Sequence, residues 1–373
     1  MTSQVPSRFP GNPRDFLAQW SASRGNLRNF FETTALPPLD DAAQQAAGEA
    51  AAAAAVREVF GIDLEEFELG VESVSGSIKA AGGLKVSPAD PDIPQEPGVA
   101  AFFDVDNTLI QGSSLIAFAM GLARKRFFTL GEIVSIGWKQ LKFRLTGSEN
   151  ADDVAEGRAM ALEIIKDRPV DEIVALCEEI VENSMQQRAF PGTRDLADMH
   201  LAAGQQVWLV SATPVQLAQI LARRFGFTGA LGTVAEVEDG RFTGRLVGDI
   251  LHGPGKKHAV AALAAIEHLD LERCTAYSDS VNDIPMLSMV GTPVAVNPDR
   301  KLLAEAHARG WQVRDYRSLR KAVRTYGVPS LFTAAFSIAG WRLRRRWRRR
   351  GEGRRGLAAR VDPARVGPAG RRR

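Results

Sequence analysis

Short apolar runs along the chain alternate with longer segments whose apolar residues recur at helical spacing. The first run, Val99 to Phe103, combines β-branched and aromatic residues without a polar break, which is typical of a strand buried on both faces. Strands that alternate with helices predict an α/β fold with a parallel sheet covered by helices on both faces. We predict the further strands at Gln205–Val210, Cys274–Tyr277, Pro293–Val296 and Trp311–Arg314, and the helices at Pro191–Ala203, Pro214–Phe225, Lys257–Leu269, Asp283–Val290 and Leu302–Arg309.

Two segments depart from this alternation. Residues 112–188 show only helical periodicity, so we predict a helical cap inserted between the first strand and the next. The segment from Gly229 to Asp249 predicts a hairpin that turns around Glu238, Asp239 and Gly240. The helices expected within the cap lie at Leu115–Leu122, Leu130–Leu145, Val154–Lys166 and Val170–Met185.

The first 97 residues carry the weakest pattern, and we interpret residues 1–97 as an N-terminal arm, partly helical or disordered, that ends in a linker. The Ala-rich stretch from Asp41 to Phe60 predicts a helix capped by Asp40 or Asp41. Apolar residues between Phe16 and Phe31 predict a docking stripe, and Pro and Gly residues from Gly82 to Gly98 mark the linker. We therefore predict one α/β domain at residues 98–320 and a tail at residues 321–373.

Charge and cysteine content refine this picture. The formal net charge is +3, but Arg342 to Arg373 hold fourteen arginines and two acids, about +12, which leaves the body near −9. Cys177 and Cys274 lack disulfide or metal spacing, so we expect buried thiols in a reducing compartment. The amino terminus lacks the apolar run of a secretory signal, and we therefore expect a cytoplasmic protein.

Three interpretations of the tail remain open. Val328 to Trp341 is apolar over about fourteen residues, shorter than the ~20 that span a bilayer as a helix. Because Trp341, Trp347 and clustered arginines accompany it, the tail fits a peripheral anchor on an anionic membrane at its inner face. A basic arm for nucleic acid, which we rank lower, and a solvated low-complexity tail fit the same composition.

The first strand ends in two carboxylates. Asp104 and Asp106 alternate around Val105, so in extended backbone both side chains leave the same side. Open α/β folds bind ligands at the carboxyl ends of their strands. Neighbouring carboxylates need a compensating cation, and Mg²⁺ suits one or two carboxylates, a backbone carbonyl and a phosphate oxygen. The alternative is an exposed turn capped by Thr108.

Three further strand ends carry polar side chains. Ser211 follows a buried strand just before a helix start, where backbone N–H groups hold phosphate oxygens; a helix cap is the alternative. Lys256 follows a glycine-containing turn and can reach an anion, unless it is simply solvated. Asp279 can meet a metal at its strand tip, while Asp283 and Asn282 support the metal ligands from behind. A cluster that caps the next helix is the alternative for these last three residues.

Taken in order, the four signals carry a family resemblance. The succession of D-x-D-x-T from Asp104, a hydrophobic-Ser pair ending at Ser211, Lys256, and S-D-x-x-N-D from Ser278 resembles the haloacid dehalogenase (HAD) superfamily. The helical insert and the segment VGTPVAVNPDRKLLAEAHARGWQV resemble its subfamily IB, the phosphoserine-phosphatase-like hydrolases. The resemblance covers about Val99 to Tyr316 and implies a Rossmann-like parallel sheet core with a helical cap after the first strand.

This resemblance also implies roles for the residues. Asp104 would attack phosphorus and become an aspartyl-phosphate, while Asp106 would protonate the leaving group and later activate water. Mg²⁺ would be held by the carboxylates of Asp104 and Asp279 and by the carbonyl of Asp106. The implied phosphate-binding residues are Ser211, Lys256 and Thr108, and the implied supporting residues are Asp283 and Asn282.

The substrate is less well defined. Phosphoserine phosphatases of this family place a glutamate at the position of Ser113, where it binds the substrate amino group, and a neutral hydroxyl cannot supply that charge. The glycine pair expected after Ser211 is Ala212-Thr213 here. We therefore predict a Mg²⁺-dependent phosphatase for a small phosphomonoester, with phosphoserine as one candidate. The alternative is a regulatory protein that associates with membrane or nucleic acid and uses a HAD-like scaffold.

Overall fold

Seven strands form one sheet in the computed structural model, which describes residues 41–125, 162 and 165–317. Their order is β4-β3-β2-β1-β5-β6-β7, and every neighbouring pair is parallel except β3 with β4. The predicted α/β class with a mostly parallel sheet is therefore confirmed. The strands are β1 Ala100–Phe103, β2 Gln206–Pro214, β3 Gly229–Glu238, β4 Arg241–Val247, β5 Thr275–Ser278, β6 Thr292–Val296 and β7 Gln312–Arg314.

Helices cover both faces of the sheet. Along β1, Ala101 and Phe103 pack into one apolar layer with the described helices of residues 114–225. Ala100 and Phe102 pack into the opposite layer with the helices of residues 41–81 and 254–309. Burial on both faces explains why the run from Val99 to Phe103 has no polar break. The described helices are α1 Asp41–Phe60, α2 Leu64–Ala81, α3 Ser114–Arg124, α4 Val170–Ile180, α5 Pro191–Ala202, α6 Val215–Phe225, α7 Pro254–Glu267, α8 Ile284–Leu287 and α9 Arg300–Arg309.

Most predicted element positions agree with the structure, and two require correction. Strand β2 extends to Pro214 instead of ending at Val210, because Thr233 of β3 donates its hydroxyl to the carbonyl of Ala212 (2.8 Å) and keeps this stretch extended. The helix predicted at Asp283–Val290 contracts to one 3₁₀ turn followed by the short α8. The hairpin of β3 and β4 is confirmed, and positive φ angles at Asp239 (47°) and Gly240 (74°) allow its tight turn.

The N-terminal helices pack against the sheet domain. The predicted helix at Asp41–Phe60 is confirmed as α1. The sequence interpretation did not include α2, which begins with a reciprocal capping box between Asp63 and Glu66. A Cβ on Gly70 would lie 2.2 Å from the carbonyl oxygen of His258, so α2 and α7 approach closely. The boundary at residue 98 stays a prediction, and the packing of α2 makes it testable.

Phe67 offers the sharpest test of this packing. Its ring is fully buried and stacks on Phe60 with the ring centroids 5.5 Å apart. Phe67→Ala is expected to lower the free energy of unfolding by about 3–5 kcal/mol, because it removes buried apolar surface and leaves a cavity. Denaturant unfolding measures the change, with Glu72→Ala on the exposed face of α2 as control. Equal stabilities of the two variants would mean that α2 is dispensable to the domain.

Other sequence predictions fall on residues outside the described ranges. These are the apolar stripe between Phe16 and Phe31, the cap helix at Leu130–Leu145 and nearly all of the one at Val154–Lys166, and the tail. The described residues up to Tyr316 belong to one compact unit, which ends before Arg317. Among the described helices, none is long and apolar enough to cross a membrane.

Candidate active site

The strand order reverses at the centre of the sheet. The chain proceeds from β1 to β2 and β3 on one side, then returns to place β5, β6 and β7 on the other. Ligands of open α/β sheets bind outside the carboxyl ends of the strands at such a reversal. Asp104 directly follows β1, and its backbone N–H donates to the carbonyl of Tyr277 in β5 (2.9 Å). Asp104 therefore lies at the reversal point.

A buried lysine joins two carboxylates at this position. Lys256, near the start of α7, donates from Nζ to Oδ1 of Asp104 (2.5 Å) and to Oδ2 of Asp283 (2.6 Å). All three side chains are nearly inaccessible, with 6% of Asp104, 3% of Lys256 and 2% of Asp283 exposed. The hydroxyl of Ser278 also donates to Oδ2 of Asp283 (2.7 Å). Asp104 is thus not part of an exposed turn, and Lys256 is not solvated.

Burial and mutual repulsion shift the protonation equilibria of this cluster. Burial raises the pKa of Asp104 to about 7, and the charges of Asp283 and Asp106 act in the same direction. Burial likewise raises the pKa of Asp279 to about 8, with Asp104 and Asp283 adding to the rise. Burial alone would lower the pKa of Lys256, but the charges of Asp104 and Asp283 outweigh it and raise that pKa. The site therefore brings together more carboxyl groups than its one lysine can pair with.

Asp106 is held by the backbone at the start of α3. Its Oδ1 accepts the backbone N–H of Ser114 (2.8 Å), and the side chain is half-buried. The hydroxyls of Ser114 and Thr213 contact each other and link α3 to β2. Ser113 is the N-cap of α3 and accepts the N–H of Ile116 (3.4 Å). The backbone thus fixes one carboxylate oxygen of Asp106, while the other forms no hydrogen bond with a described residue.

The remaining predicted site residues differ in their local surroundings. Ser211 is inside β2 rather than at a helix start, and its Oγ accepts the N–H of Thr213 (3.2 Å). It does not cap α6, whose N-cap is Pro214. Thr108 is fully buried, and its hydroxyl finds no partner among the described residues. Asn282 is half-buried in the 3₁₀ turn that leads to Asp283.

Sequence reasoning missed two contacts that hold the site in place. Ser278, the last residue of β5, orients Asp283 through the hydrogen bond described above. Asn297 is fully buried and donates from its side-chain amide to the carbonyl of Asn107 (2.8 Å), between Asp106 and Thr108. Both Asn107 (φ 55°) and Asn297 (φ 50°) have left-handed backbone. A polar residue after an apolar run was the available signal in each case, but it does not identify the partner.

The carboxylates of this site suit a hard divalent cation that is coordinated by few protein side chains. Across the described residues, no three His, Cys, Asp or Glu side chains converge into a complete metal-binding cluster. The charge of Asp104 nevertheless contributes to the raised pKa of Asp279, so two carboxylates lie close enough to interact. Mg²⁺ retains waters and is bound by one or two carboxylates together with substrate phosphate, so this partial set suits it.

The sheet is doubly wound, and a buried cluster of two carboxylates and a lysine lies where its strand order reverses. This arrangement is typical of α/β enzymes that bind substrate at the carboxyl ends of their strands. The family model for haloacid dehalogenase-like hydrolases matches residues 101–288. Phosphoserine phosphatase SerB1 of Mycobacterium tuberculosis (strain ATCC 25618 / H37Rv) is 56% identical over 253 residues, which cover 68% of this chain and 80% of that protein. The chain belongs to the haloacid dehalogenase-like hydrolases.

Two further proteins are similar to this chain. A putative hydrolase of Mycobacterium leprae (strain TN) is 54% identical over 256 residues, covering 69% of this chain and 85% of that protein. Among solved structures, a protein of unknown function from Bordetella pertussis Tohama I matches with a TM-score of 0.53 and 32% identity. That match covers 58% of this chain and 98% of the other. The predicted family resemblance is confirmed.

Proposed function

We propose that this hydrolase is a Mg²⁺-dependent phosphatase that cleaves a small phosphomonoester through an aspartyl-phosphate on Asp104. The observation that carries the proposal is the buried contact of Asp104 with Lys256, itself shared with Asp283. A structural ion pair does not need a second carboxylate, whereas a nucleophile that attacks a phosphate dianion needs nearby positive charge. The name of the Mycobacterium tuberculosis relative keeps phosphoserine among the candidate substrates.

The first step forms the covalent intermediate. A carboxylate oxygen of Asp104 attacks phosphorus, the bond from phosphorus to the alcohol oxygen breaks, and Asp106 gives that oxygen a proton. The hydrogen bond from the N–H of Ser114 fixes one oxygen of Asp106, which leaves the other to face the departing alcohol. Ser211 and Lys256 bind phosphoryl oxygens in this proposal, with Thr108 beside them, and so stabilise charge where it develops.

The second step releases phosphate. Asp106, now ionised, takes a proton from a water that attacks the aspartyl-phosphate, and Asp104 is regenerated. Positioned acid–base catalysis of this kind contributes ~10²- to 10⁴-fold to the rate. The carboxylates of Asp104 and Asp279 and the carbonyl of Asp106 would hold Mg²⁺, which when bound supplies positive charge to the phosphoryl oxygens. In this proposal Asp283 and Asn282 do not bind the metal directly but help to orient its ligands.

The proposal includes the organisation of the chain. We assign the catalytic unit to residues 98–320, with residues 112–188 as the cap that excludes water and contacts the leaving group. Cys177 and Cys274 are free and buried, which supports a reducing, cytoplasmic setting.

The membrane and nucleic acid interpretations of the tail concern residues outside the described ranges and stay predictions.

Metal removal tests the proposed function. Phosphate release is measured on a panel of small phosphomonoesters that includes phosphoserine, with the full chain in Mg²⁺, in excess EDTA, and after Mg²⁺ is restored. We expect release to fall to background in EDTA and to recover with Mg²⁺, because the buried carboxylates would otherwise repel the phosphate. Turnover that persists in EDTA would remove the metal from the mechanism. A panel that is not hydrolysed in Mg²⁺ would refute the phosphatase itself.

A further inference from the structure

The first turn of α3 supplies a hydrogen bond on which the proposed chemistry depends. Ser114 is the first residue of α3, and its backbone N–H donates to Oδ1 of Asp106 (2.8 Å). The first N–H groups of a helix have no acceptor within the helix, so this one is available to a side chain. The direction of the Asp106 carboxylate therefore depends on where α3 begins.

The side chain of Ser114 attaches the start of α3 to the sheet. Its hydroxyl is hydrogen-bonded to the hydroxyl of Thr213, near the end of β2. Both side chains are buried, with 0% of Ser114 and 2% of Thr213 exposed, so water does not compete for this contact. Removing one hydroxyl would leave the other buried and unsatisfied, which is costly. The contact therefore favours one position of α3 relative to β2.

Thr213 lies in a part of the sheet that is itself held closely. The hydroxyl of Thr233 in β3 donates to the carbonyl of Ala212 (2.8 Å). A Cβ on Gly232 would lie 2.8 Å from the carbonyl oxygen of Thr213, so the backbones of β2 and β3 approach closely here. Because β3 fixes the end of β2, the contact positions α3 on the sheet rather than the reverse.

The same residue also contacts the proposed phosphate-binding group. The backbone N–H of Thr213 donates to Oγ of Ser211 (3.2 Å). A short series of contacts therefore leads from Ser211 through Thr213 and Ser114 to Asp106. Position 213 is also one at which the sequence resemblance leads us to expect glycine, and glycine has no hydroxyl to offer. The residue type at this position thus provides a contact between β2 and α3 that glycine could not make.

We propose that Ser114 and Thr213 are a pair of positioning residues whose hydroxyl contact orients Asp106 for proton transfer to the leaving alcohol. The inference rests on the proposed phosphatase function and deepens it by assigning the residues that control its acid–base step. In this role neither hydroxyl takes part in bond making or breaking. The pair acts through the backbone N–H of Ser114, and a displacement of about 1 Å at a reacting group lowers rates by up to about 100-fold.

The dependence of the rate on the leaving group tests this role. Glycerol 3-phosphate needs a proton on its departing alkoxide, whereas p-nitrophenyl phosphate releases a weak base that departs without one. Thr213→Val keeps the shape of the side chain and removes the hydroxyl. With the full chain in Mg²⁺, we expect kcat/KM to fall by about 10- to 100-fold for glycerol 3-phosphate and by about 3-fold or less for p-nitrophenyl phosphate. Thr213→Ser keeps the hydroxyl and should retain most of the activity on both compounds.

The partner residue and a matched control separate the contact from a general packing defect. Ser114→Ala should show the same dependence on the leaving group, and the double variant should lose no more than either single variant, because all three break one contact. Thr193→Val is the control, since its hydroxyl is fully buried and finds no partner among the described residues. Additive losses in the double variant, or the same dependence on the leaving group in Thr193→Val, would overturn the inference.

Amide hydrogen exchange tests the contact without turnover. We expect Thr213→Val to speed exchange at residues 114–116 by about 10-fold relative to wild type and to Thr193→Val, because the first turn of α3 loses its attachment. Faster exchange in Thr213→Val, together with a wild type that hydrolyses neither compound, would refute only the phosphatase proposal. Unchanged exchange, or equal losses of kcat/KM for both compounds, would refute only the positioning role.

Discussion

Replacing Asp104 with asparagine is expected to lower phosphate release by ~10⁴-fold or more. The side chain is nearly the same size, so the packing around β1 should survive. Asparagine cannot form the acyl phosphate, and it no longer offers a charged partner to Lys256, which lies 2.5 Å away. The loss should therefore appear in kcat rather than in the fold. Steady-state phosphate release and circular dichroism of the same sample measure both quantities.

Two comparisons connect this result to the proposed covalent step. Asp106→Asn removes only the proton donor and should cost ~10²- to 10⁴-fold, less than the loss of the nucleophile. Asp198→Asn changes a half-exposed carboxylate paired with Arg194 and should leave activity unchanged. Borohydride added during turnover should convert residue 104 to homoserine, which peptide mass spectrometry detects. Full activity of Asp104→Asn would refute the nucleophile assignment, and trapping at another carboxylate would relocate it.

The sequence predicted that the candidate site lies at the carboxyl ends of the strands, because the relevant signals are local. Asp104 and Asp279 each come directly after an apolar strand, and the carboxyl ends of parallel strands meet at one edge of a sheet. The alternation of strands and helices could be predicted in the same way, because the spacing of the apolar residues within each segment indicates its type. These predictions needed no knowledge of which distant residues touch. They depend only on the period of the hydrophobic pattern and on the connections it allows.

The details that the sequence did not reveal depend on tertiary contacts. The extension of β2 past Ser211 follows from a hydroxyl on β3. The contact of Lys256 with Asp283 follows from how α7 packs against the 3₁₀ turn after β5. Helix α2 is a different case, because the capping box of Asp63 and Glu66 is visible in the sequence. The hydrophobic pattern of residues 1–97 is weak, and a weak pattern predicts an arm rather than a helix packed on the sheet. The packing of Phe67 and the close approach of Gly70 to His258 show that α2 covers the sheet domain.

Neighbouring lysines on α7 provide the second large expected effect. Lys256→Met is expected to abolish phosphate release and to lower the free energy of unfolding by about 3–5 kcal/mol, because it leaves the buried carboxylates of Asp104 and Asp283 without their cation. Lys257→Met is the matched control, since that side chain is half-buried and donates to the carbonyl of Gly61 (2.9 Å). Its loss should cost about 1 kcal/mol or less. Denaturant unfolding and phosphate release measure both variants.

A double variant separates the electrostatic cause from a packing defect. If the destabilisation in Lys256→Met comes from uncompensated negative charge, then adding Asp283→Asn should recover part of it. The paired change would then be less destabilising than the sum of the single changes. If it comes from lost packing, the two effects should add. Additive losses, or a Lys257→Met variant as unstable as Lys256→Met, would mean that the charge of Lys256 does not stabilise this cluster. The contact of Lys256 with Asp104 would then no longer support the proposed mechanism.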